Sequence, residues 1–337
     1  MNLFIVESPF QLLSAIEANN YFKETSILIV KYNMEEKNNT QLSSIINKFS
    51  NFGKVIEIKA TKTNYDANLK LFFLLVKLKK ENIFYNKIFI GEYRSYHMRK
   101  FFDILNPDEC FVLDDGNIIF SVIKYIINKK DEYYFDGIKG KIKKSIYSMQ
   151  VFYLGLAKYK IRRDISIFTC FNINSELNTK IIKHNFNHIK SIGSAHSSKD
   201  IVYFYGANLE ELGINKEVEI KYLMYVVKYY NNIDYKIMYV SHRKETKEKL
   251  LYIENRLAIP IIKNIYPAEI QLILDDVVPR HISSFVSSVL ITLPILYNFD
   301  SVISFSFKID NIIEKYKEEL SVVKEEYKKT IKVVEID

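Results

Sequence analysis

Apolar runs of four to seven residues alternate along this chain with longer stretches whose apolar positions recur every three to four residues. This is the rhythm of strands alternating with helices. The first half reads as strands at 2–6, 26–31, 54–58, 87–91 and 109–113, with helices from Pro9 to about Tyr21 and near 40–50, 65–80 and 95–105. Pro9 suits a first helical position, because the N–H that proline lacks would be unpaired there. The second half reads as strands at 165–170, 201–205, 235–240, 259–263 and 301–305, with helices at 216–231, 244–256 and 309–328. Such alternation builds parallel sheets covered by helices. Residues 117–163 break the pattern: they read as mainly helical, and 139–163 mix Lys139, Lys141, Lys143, Lys144, Lys158, Lys160, Arg162 and Arg163 with apolar side chains. A basic amphipathic stretch fits an anionic membrane face, and equally a solvated connector. The pattern predicts an α/β protein of two domains, 1–163 and 164–337, facing each other across a cleft.

Composition narrows this picture a little. With 337 residues, 48% hydrophobic and 26% charged, the chain suits a soluble globular protein with two cores. No apolar run reaches the roughly 18 to 20 residues that span a bilayer. The start, Met1-Asn2-Leu3-Phe4-Ile5-Val6-Glu7, has no basic region and reads as a first strand, not a signal peptide. Cys110 and Cys170 lie in apolar runs and read as buried thiols, neither a disulfide framework nor part of a metal site. The chain therefore reads as cytoplasmic. The net charge of +8, from 48 Lys and Arg against 40 Asp and Glu, suits nucleotides, anionic sugars, nucleic acid or a lipid surface without choosing among them. No GxxxxGK[ST] loop, GxGxxG fingerprint, HExxH or GxSxG elbow occurs. The basic segments match no common nucleic-acid motif, so no nucleic-acid partner is expected.

Candidate chemistry sits at strand ends, where open α/β sheets place ligands. Leu113-Asp114-Asp115-Gly116 closes the run Cys110–Leu113. Adjacent side chains of an extended chain point to opposite sides, so one of Asp114 and Asp115 is expected to face a cleft. Both also suit a turn and a helix cap. Ser241-His242-Arg243-Lys244 closes the strand at 235–240, with Glu245 beyond it. A cationic imidazole there, with backbone N–H groups of a helix start, would form an anion site, though a surface histidine at a helix cap fits as well. Ser283, Ser284, Ser287 and Ser288 crowd one short segment, the second pair at a helix start; phosphate binding and N-capping both suit them. Tyr266-Pro267-Ala268-Glu269 places an acid in a first helical turn, satisfied by the helix dipole or gripping the hydroxyls of a ribose. Glu7-Ser8-Pro9-Phe10-Gln11 and Gly91-Glu92-Tyr93-Arg94-Ser95 follow the first and fourth strands. Ser8 suits an N-cap, and Arg94 either meets a substrate carboxylate or faces solvent.

The order of these islands resembles the bacterial sialyltransferases: an acidic pair with Gly, a strand-terminal histidine, a Pro-x-Glu, and a Ser-Ser at a helix start. Glu269 follows His242 by 27 residues and Ser287 by 45, similar to spacings in that group. The Glu-Ser-Pro-Phe-Gln and Gly-Glu-Tyr-Arg-Ser segments resemble glycosyltransferase family 52, the lipooligosaccharide sialyltransferases, and Val202–Leu209 sits where that family has a Gly-Gln-Pro-Leu-like turn. One departure stands out: the group's His-Pro is His242-Arg243 here. The resemblance implies a GT-B fold of two Rossmann-like domains, with nucleotide bound mainly by the C-terminal one. It implies an inverting transfer of sialic acid from CMP-sialic acid to a terminal galactoside of a bacterial surface glycan such as lipooligosaccharide or capsule, with no metal and no cofactor beyond the donor. Asp114 or Asp115 would be the base, with Glu210 or Glu211 as alternatives; His242 would stabilise the leaving phosphate. The substrate-binding candidates are Ser8, Gln11, Arg94, Gly116, Glu269, Ser283, Ser284, Ser287 and Ser288. The expected surroundings are a peripheral inner-membrane contact and a homodimer. The rival expectations are another nucleotide-sugar glycosyltransferase on the same fold, and a non-catalytic nucleotide- or sugar-binding protein.

Overall fold

The computed structural model describes residues 1–127, 145, 162–173, 179–193, 195 and 197–336. The basic stretch 139–163, apart from Ser145, Arg162 and Arg163, lies outside them. The chain divides into two compact units. The N-terminal unit comprises Met1–Asp115 and Ser121–His184, and the C-terminal unit Gly116–Phe120 and Asn185–Asp337.

In the N-terminal unit, β1 (Asn2–Val6), β2 (Ser26–Tyr32), β3 (Lys54–Lys59), β4 (Lys87–Ile90), β5 (Glu109–Val112), β6 (Ile165–Thr169) and β7 (Ile181–Lys183) form one sheet in the order β3-β2-β1-β4-β5-β6-β7, all neighbours parallel. The connecting helices are α1 (Pro9–Phe22), α2 (Glu36–Phe49), α3 (Asn64–Lys80) and α4 (Tyr96–Leu105). The order reverses direction between β1 and β4, the place where a doubly wound sheet opens a crevice at its strand C-termini. β1 is buried along its whole length, as a central parallel strand covered on both faces must be. Phe4, Phe89 and Phe111 occupy matched register positions on β1, β4 and β5 and stack in a row, with centroids 4.3 and 4.8 Å apart. That ladder fixes the three strands whose following loops carry Ser8, Gly91 and Asp115.

The sheet membership of β6 corrects the expected domain boundary. Its residues were expected to open a second domain at 164; instead β6 pairs with β5, and β7 extends the first sheet. Asp114 explains why. Its carboxylate is fully buried and accepts from the Thr169 hydroxyl and, at 2.8 Å, from the Cys170 N–H, while His184 Nε2 lies 3.2 Å away. The end of β5 is thus tied to the ends of β6 and β7.

The C-terminal unit repeats the plan. β8 (Ser197–Tyr205), β9 (Lys236–Val240), β10 (Ile261–Ile262), β11 (Val277–Ser284), β12 (Ser301–Ser306) and β13 (Lys332–Glu335) run parallel in the order β10-β9-β8-β11-β12-β13. Its helices include α5 (Ile118–Ser121) as far as Phe120, α6 (Asn187–Ile192), α7 (Lys216–Asn231), α8 (Lys247–Leu257), α9 (Ala268–Asp275), α10 (Val289–Leu296) and α11 (Glu314–Thr330). The reversal falls between β8 and β11, flanked by the loops after β8, β9 and β11.

Candidate functional site

In the N-terminal unit the acid offered to a ligand is Asp115, not Asp114. Asp114 is sealed in the latch just described, which leaves Asp115 as the carboxylate of the pair that is not fully buried. Asp115 is half-buried. Its Oδ1 accepts from Gln11 Nε2 at 2.8 Å and more distantly from the Ser8 hydroxyl at 3.5 Å. Both donors come from the first turn of α1, where Ser8 is also the N-cap and accepts from the Gln11 N–H. Gln11 is held in turn, its Oε1 accepting from the Glu7 N–H at 2.8 Å. The end of β4 must make room for that amide: a Cβ on Gly91 would stand 2.2 Å from Gln11 Oε1. Gly91 is there because Gln11 crosses its face.

The electrostatics of this site oppose ionisation. Burial first, then the nearby negative charge of Glu92, raise the Asp115 carboxyl; Gln11 and Arg94 pull it down, Glu7 pushes it up, and the balance is about 8. Arg94 is engaged by Glu92 through a two-pronged contact, Nε to Oε1 at 3.0 Å and Nη2 to Oε2 at 2.7 Å. Its guanidinium therefore acts on Asp115 through space.

In the C-terminal unit, His242 follows β9 and is half-buried. Its Nδ1 accepts from the Lys244 N–H at 3.2 Å, which leaves the proton of the neutral ring on Nε2. Burial, followed by the positive charges of Arg243, Lys244 and Lys249, lowers this imidazole to about 3. The expectation of a cationic imidazole is corrected accordingly: the ring is a neutral Nε2–H donor at physiological pH. The backbone around it is fixed by Glu245, a residue the sequence places beyond the motif without marking a role for it. Glu245 Oε2 accepts from the His242 N–H at 2.7 Å, and Oε1 accepts from Tyr239 Oη at 2.7 Å and pairs with Lys249 at 3.0 Å. Gly206, after β8, leaves the space, since a Cβ there would meet Tyr239 Oη at 2.4 Å. The three-residue spacing from His242 to Glu245 was the available signal: an acid at that offset reaches back to a backbone N–H as in a capping box.

The serines separate into two kinds. Ser283 and Ser284 are fully buried within β11, and Ser284 Oγ donates to the Tyr205 carbonyl at 2.7 Å. They leave the candidate set, because strand burial withholds them from a ligand. Ser287 and Ser288 are half-buried at the start of α10, and Ser288 makes no side-chain capping bond. Tyr327 of α11 donates to the Ser287 carbonyl at 2.7 Å and accepts from Asn117 Nδ2 at 2.8 Å, holding the turn from beneath. Gly116, with φ of +64°, packs against this turn; a Cβ there would stand 3.3 Å from Ser288 Oγ. Left-handed backbone and close approach both favour glycine. One peptide bond away along the chain is Asp115.

Glu269 is buried in the first turn of α9, its Oε1 accepting from Thr292 Oγ1 at 2.6 Å, and burial raises its pKa. A ribose would compete with Thr292 for it. Glu211, one alternative base, is a poor one. Burial works against its ionisation, but the Lys244 ammonium 3.0 Å away outweighs that and holds it below the usual carboxylate range. Among the described residues, Asp114, Cys170 and His184 also gather metal-binding atom types within 4.8 Å of one another. The sequence reading missed this grouping because the three are far apart along the chain. Here they serve as the latch between strand ends.

No protein-family model matches the chain, and no curated protein matches it in sequence. Solved structures do. A sialyltransferase from Photobacterium damsela superposes with a TM-score of 0.53 over 99% of this chain and 81% of its own, at 11% identity. A UDP-GlcNAc 2-epimerase from Neisseria meningitidis gives 0.52 over 99% and 94%, at 10% identity. An alpha/beta-galactoside alpha-2,3-sialyltransferase from Photobacterium phosphoreum gives 0.48 over 98% and 97%, at 14% identity. The first two scores define the class: a GT-B-type chain of two Rossmann-like units. Within that class, the fold is one that bacterial sialyltransferases and UDP-GlcNAc 2-epimerases share.

Proposed function

We propose that this chain is a nucleotide-sugar glycosyltransferase, and specifically an inverting sialyltransferase that moves sialic acid from CMP-sialic acid to a terminal galactoside of a bacterial surface glycan. The observation that carries the reading is Asp115: an acid at the strand ends of a doubly wound sheet, held by Gln11 at 2.8 Å and raised to about 8. A base whose pKa lies near working pH serves proton transfer best. At pH 7 roughly one molecule in ten holds it ionised. The ionised form would take the proton of the acceptor hydroxyl as that oxygen bonds to the anomeric carbon. The bond from that carbon to the CMP phosphate breaks, through an oxocarbenium-like state as in glycoside cleavage generally. Negative charge then collects on the departing phosphate. The neutral Nε2–H of His242, with Ser287 and Ser288, would donate to it, and Glu269 would hold the ribose at the expense of its bond to Thr292. No step in this scheme passes through a metal.

Thermal shift of the whole chain with CMP and with UDP tests the nucleotide. A ligand at about 100 times its dissociation constant adds roughly 2.7 kcal/mol to stability. Stabilisation by CMP and not UDP supports the reading; the reverse favours a UDP-sugar enzyme on the same fold. CMP release from CMP-sialic acid that depends on an added galactoside then tests the transfer. CMP binding without turnover would leave a non-catalytic nucleotide-binding protein.

A further inference from the structure

The outward face of α3 carries a row of large apolar side chains. Its inner side carries the buried Ala67, Leu71, Phe72, Leu75 and Val76. Its outer side carries Tyr65, Leu69 and Phe73, exposed to 69%, 38% and 58%. Residues four apart advance about 40° around a helix, so these three form one stripe. Phe84, 62% exposed, lies four residues past the helix end, and Met34, 54% exposed, adjoins the helix start, its N–H donating to Asn64 Oδ1 at 3.1 Å. Singly exposed apolar residues need no explanation, but a contiguous set does.

The charge around the stripe is mostly positive. Lys62, Lys70, Lys77, Lys79 and Lys80 are all exposed there. Two acids nearby offset part of this charge, Asp66 lying 4.0 Å from Lys70 and Glu81 beside Lys77, so the balance of the face stays positive. Asp66 accepts from Thr61 and Thr63 N–H groups at 2.6 and 2.9 Å as it starts the helix, and Glu81 lies 3.9 Å from Lys77. Aromatic and aliphatic side chains among lysines are what lie at the boundary of headgroups and acyl chains. A second copy of this chain is disfavoured, because a two-fold contact would set this lysine cluster against itself.

We infer that the outer face of α3 is a docking surface for an anionic phospholipid membrane. The inference stands on the N-terminal unit alone and is independent of the sugar chemistry, though a lipid-linked acceptor would give it a purpose. It also places membrane contact on residues other than the basic stretch 139–163.

The test is co-sedimentation of the full chain with phosphatidylcholine vesicles, with and without phosphatidylglycerol, at low and high salt. Wild type should sediment with the anionic vesicles only, and less so at high salt. Two double variants, L69S/F73S and K77E/K80E, alter only exposed side chains, and each should reduce partitioning about tenfold or more. Circular dichroism and CMP thermal shift on the same samples should be unchanged. Sedimentation of the variants equal to wild type, or no vesicle binding by wild type at low salt, would overturn the inference. So would ultracentrifugation showing a dimer that L69S/F73S dissolves, since the face would then bind a second copy. Failure of CMP to stabilise any sample would count against the transferase reading and leave this one standing.

Discussion

At the scale of single residues, Asp115 and His242 are both mostly uncharged near neutral pH, the aspartate against its type and the histidine more firmly than its type requires. Asp115 holds its proton to about 8, and His242 is neutral. The pH dependence of stability follows for Asp115. Between its ordinary value of 3.8 and about 8, the folded chain binds a proton that the unfolded chain has released. The stabilisation from this group is complete below the lower value and is lost as pH rises through the higher one. Asp115→Asn removes the slope. Its melting temperature relative to wild type should climb from pH 5 to pH 9, while turnover falls about 10²- to 10⁴-fold. Wild-type turnover should rise with pH along a limb near 8. A variant whose relative melting temperature is flat with pH would show that Asp115 ionises normally. For His242, a neutral donor is distinguishable from a cation. His242→Ala should lose about 10²- to 10³-fold in turnover, as removal of one oxyanion donor does. His242→Gln keeps an N–H near the Nε2 position and should recover part of that loss. Equal activity of the two variants would remove the donor role.

At the scale of elements, the site residues are held by loops from neighbouring strands, so a change on one strand is read at another. Gly91 after β4 and Gln11 in α1 are the clearest case. Gly91→Ala drives a methyl into the Gln11 amide, which then withdraws from Asp115. Gln11 favours the ionised carboxylate, so its loss raises the Asp115 pKa further. The activity limb of Gly91→Ala should move to higher pH, and Gln11→Leu should move it the same way; a limb that stays near 8 in both would break the link. This coupling was not legible in the sequence, where Gly91 and Gln11 are simply two residues in two resembling segments. Most strands were legible, because β1, β2, β8 and β9 are dense in Ile, Val, Phe, Leu and Tyr. β11 was not, although it is central to its sheet. It carries Pro279, Arg280, His281, Ser283 and Ser284, a composition that reads as loop. The structure absorbs three of them: the register shifts between Pro279 and His281, as a bulge that tolerates proline, Arg280 pairs with Asp300, and Ser284 donates to a carbonyl. β6 was seen but assigned to the wrong sheet. Nothing in a strand's apolar pattern names its partner; the latch residues Thr169, Cys170 and His184 do, and they bond an aspartate far earlier in the chain.

At the scale of the whole molecule, two units with separate sheets allow nucleotide binding to be assigned without activity. The reading places the nucleotide with the C-terminal unit, where the loops after β8, β9 and β11 carry Gly206, His242 and the Ser287–Ser288 turn. A ligand that binds only the native form of one unit raises the opening free energy of that unit and leaves the other as it was. At about 100 times the dissociation constant the gain is roughly 2.7 kcal/mol, or about 100-fold slower amide exchange wherever exchange requires that unit to open. Hydrogen–deuterium exchange of the full chain with and without CMP should therefore slow in peptides covering β8, β9, β11 and the start of α10. Peptides covering β1 to β5 should exchange as before. The His242 N–H is a particular marker, because Glu245 already holds it at 2.7 Å and a phosphate donor role requires that loop to stay folded. Protection confined to the loops after β1, β4 and β5 would move the nucleotide to the unit that holds Asp115. The acid would then sit beside the leaving group instead of the incoming alcohol, and the division of labour proposed for the two units would be reversed.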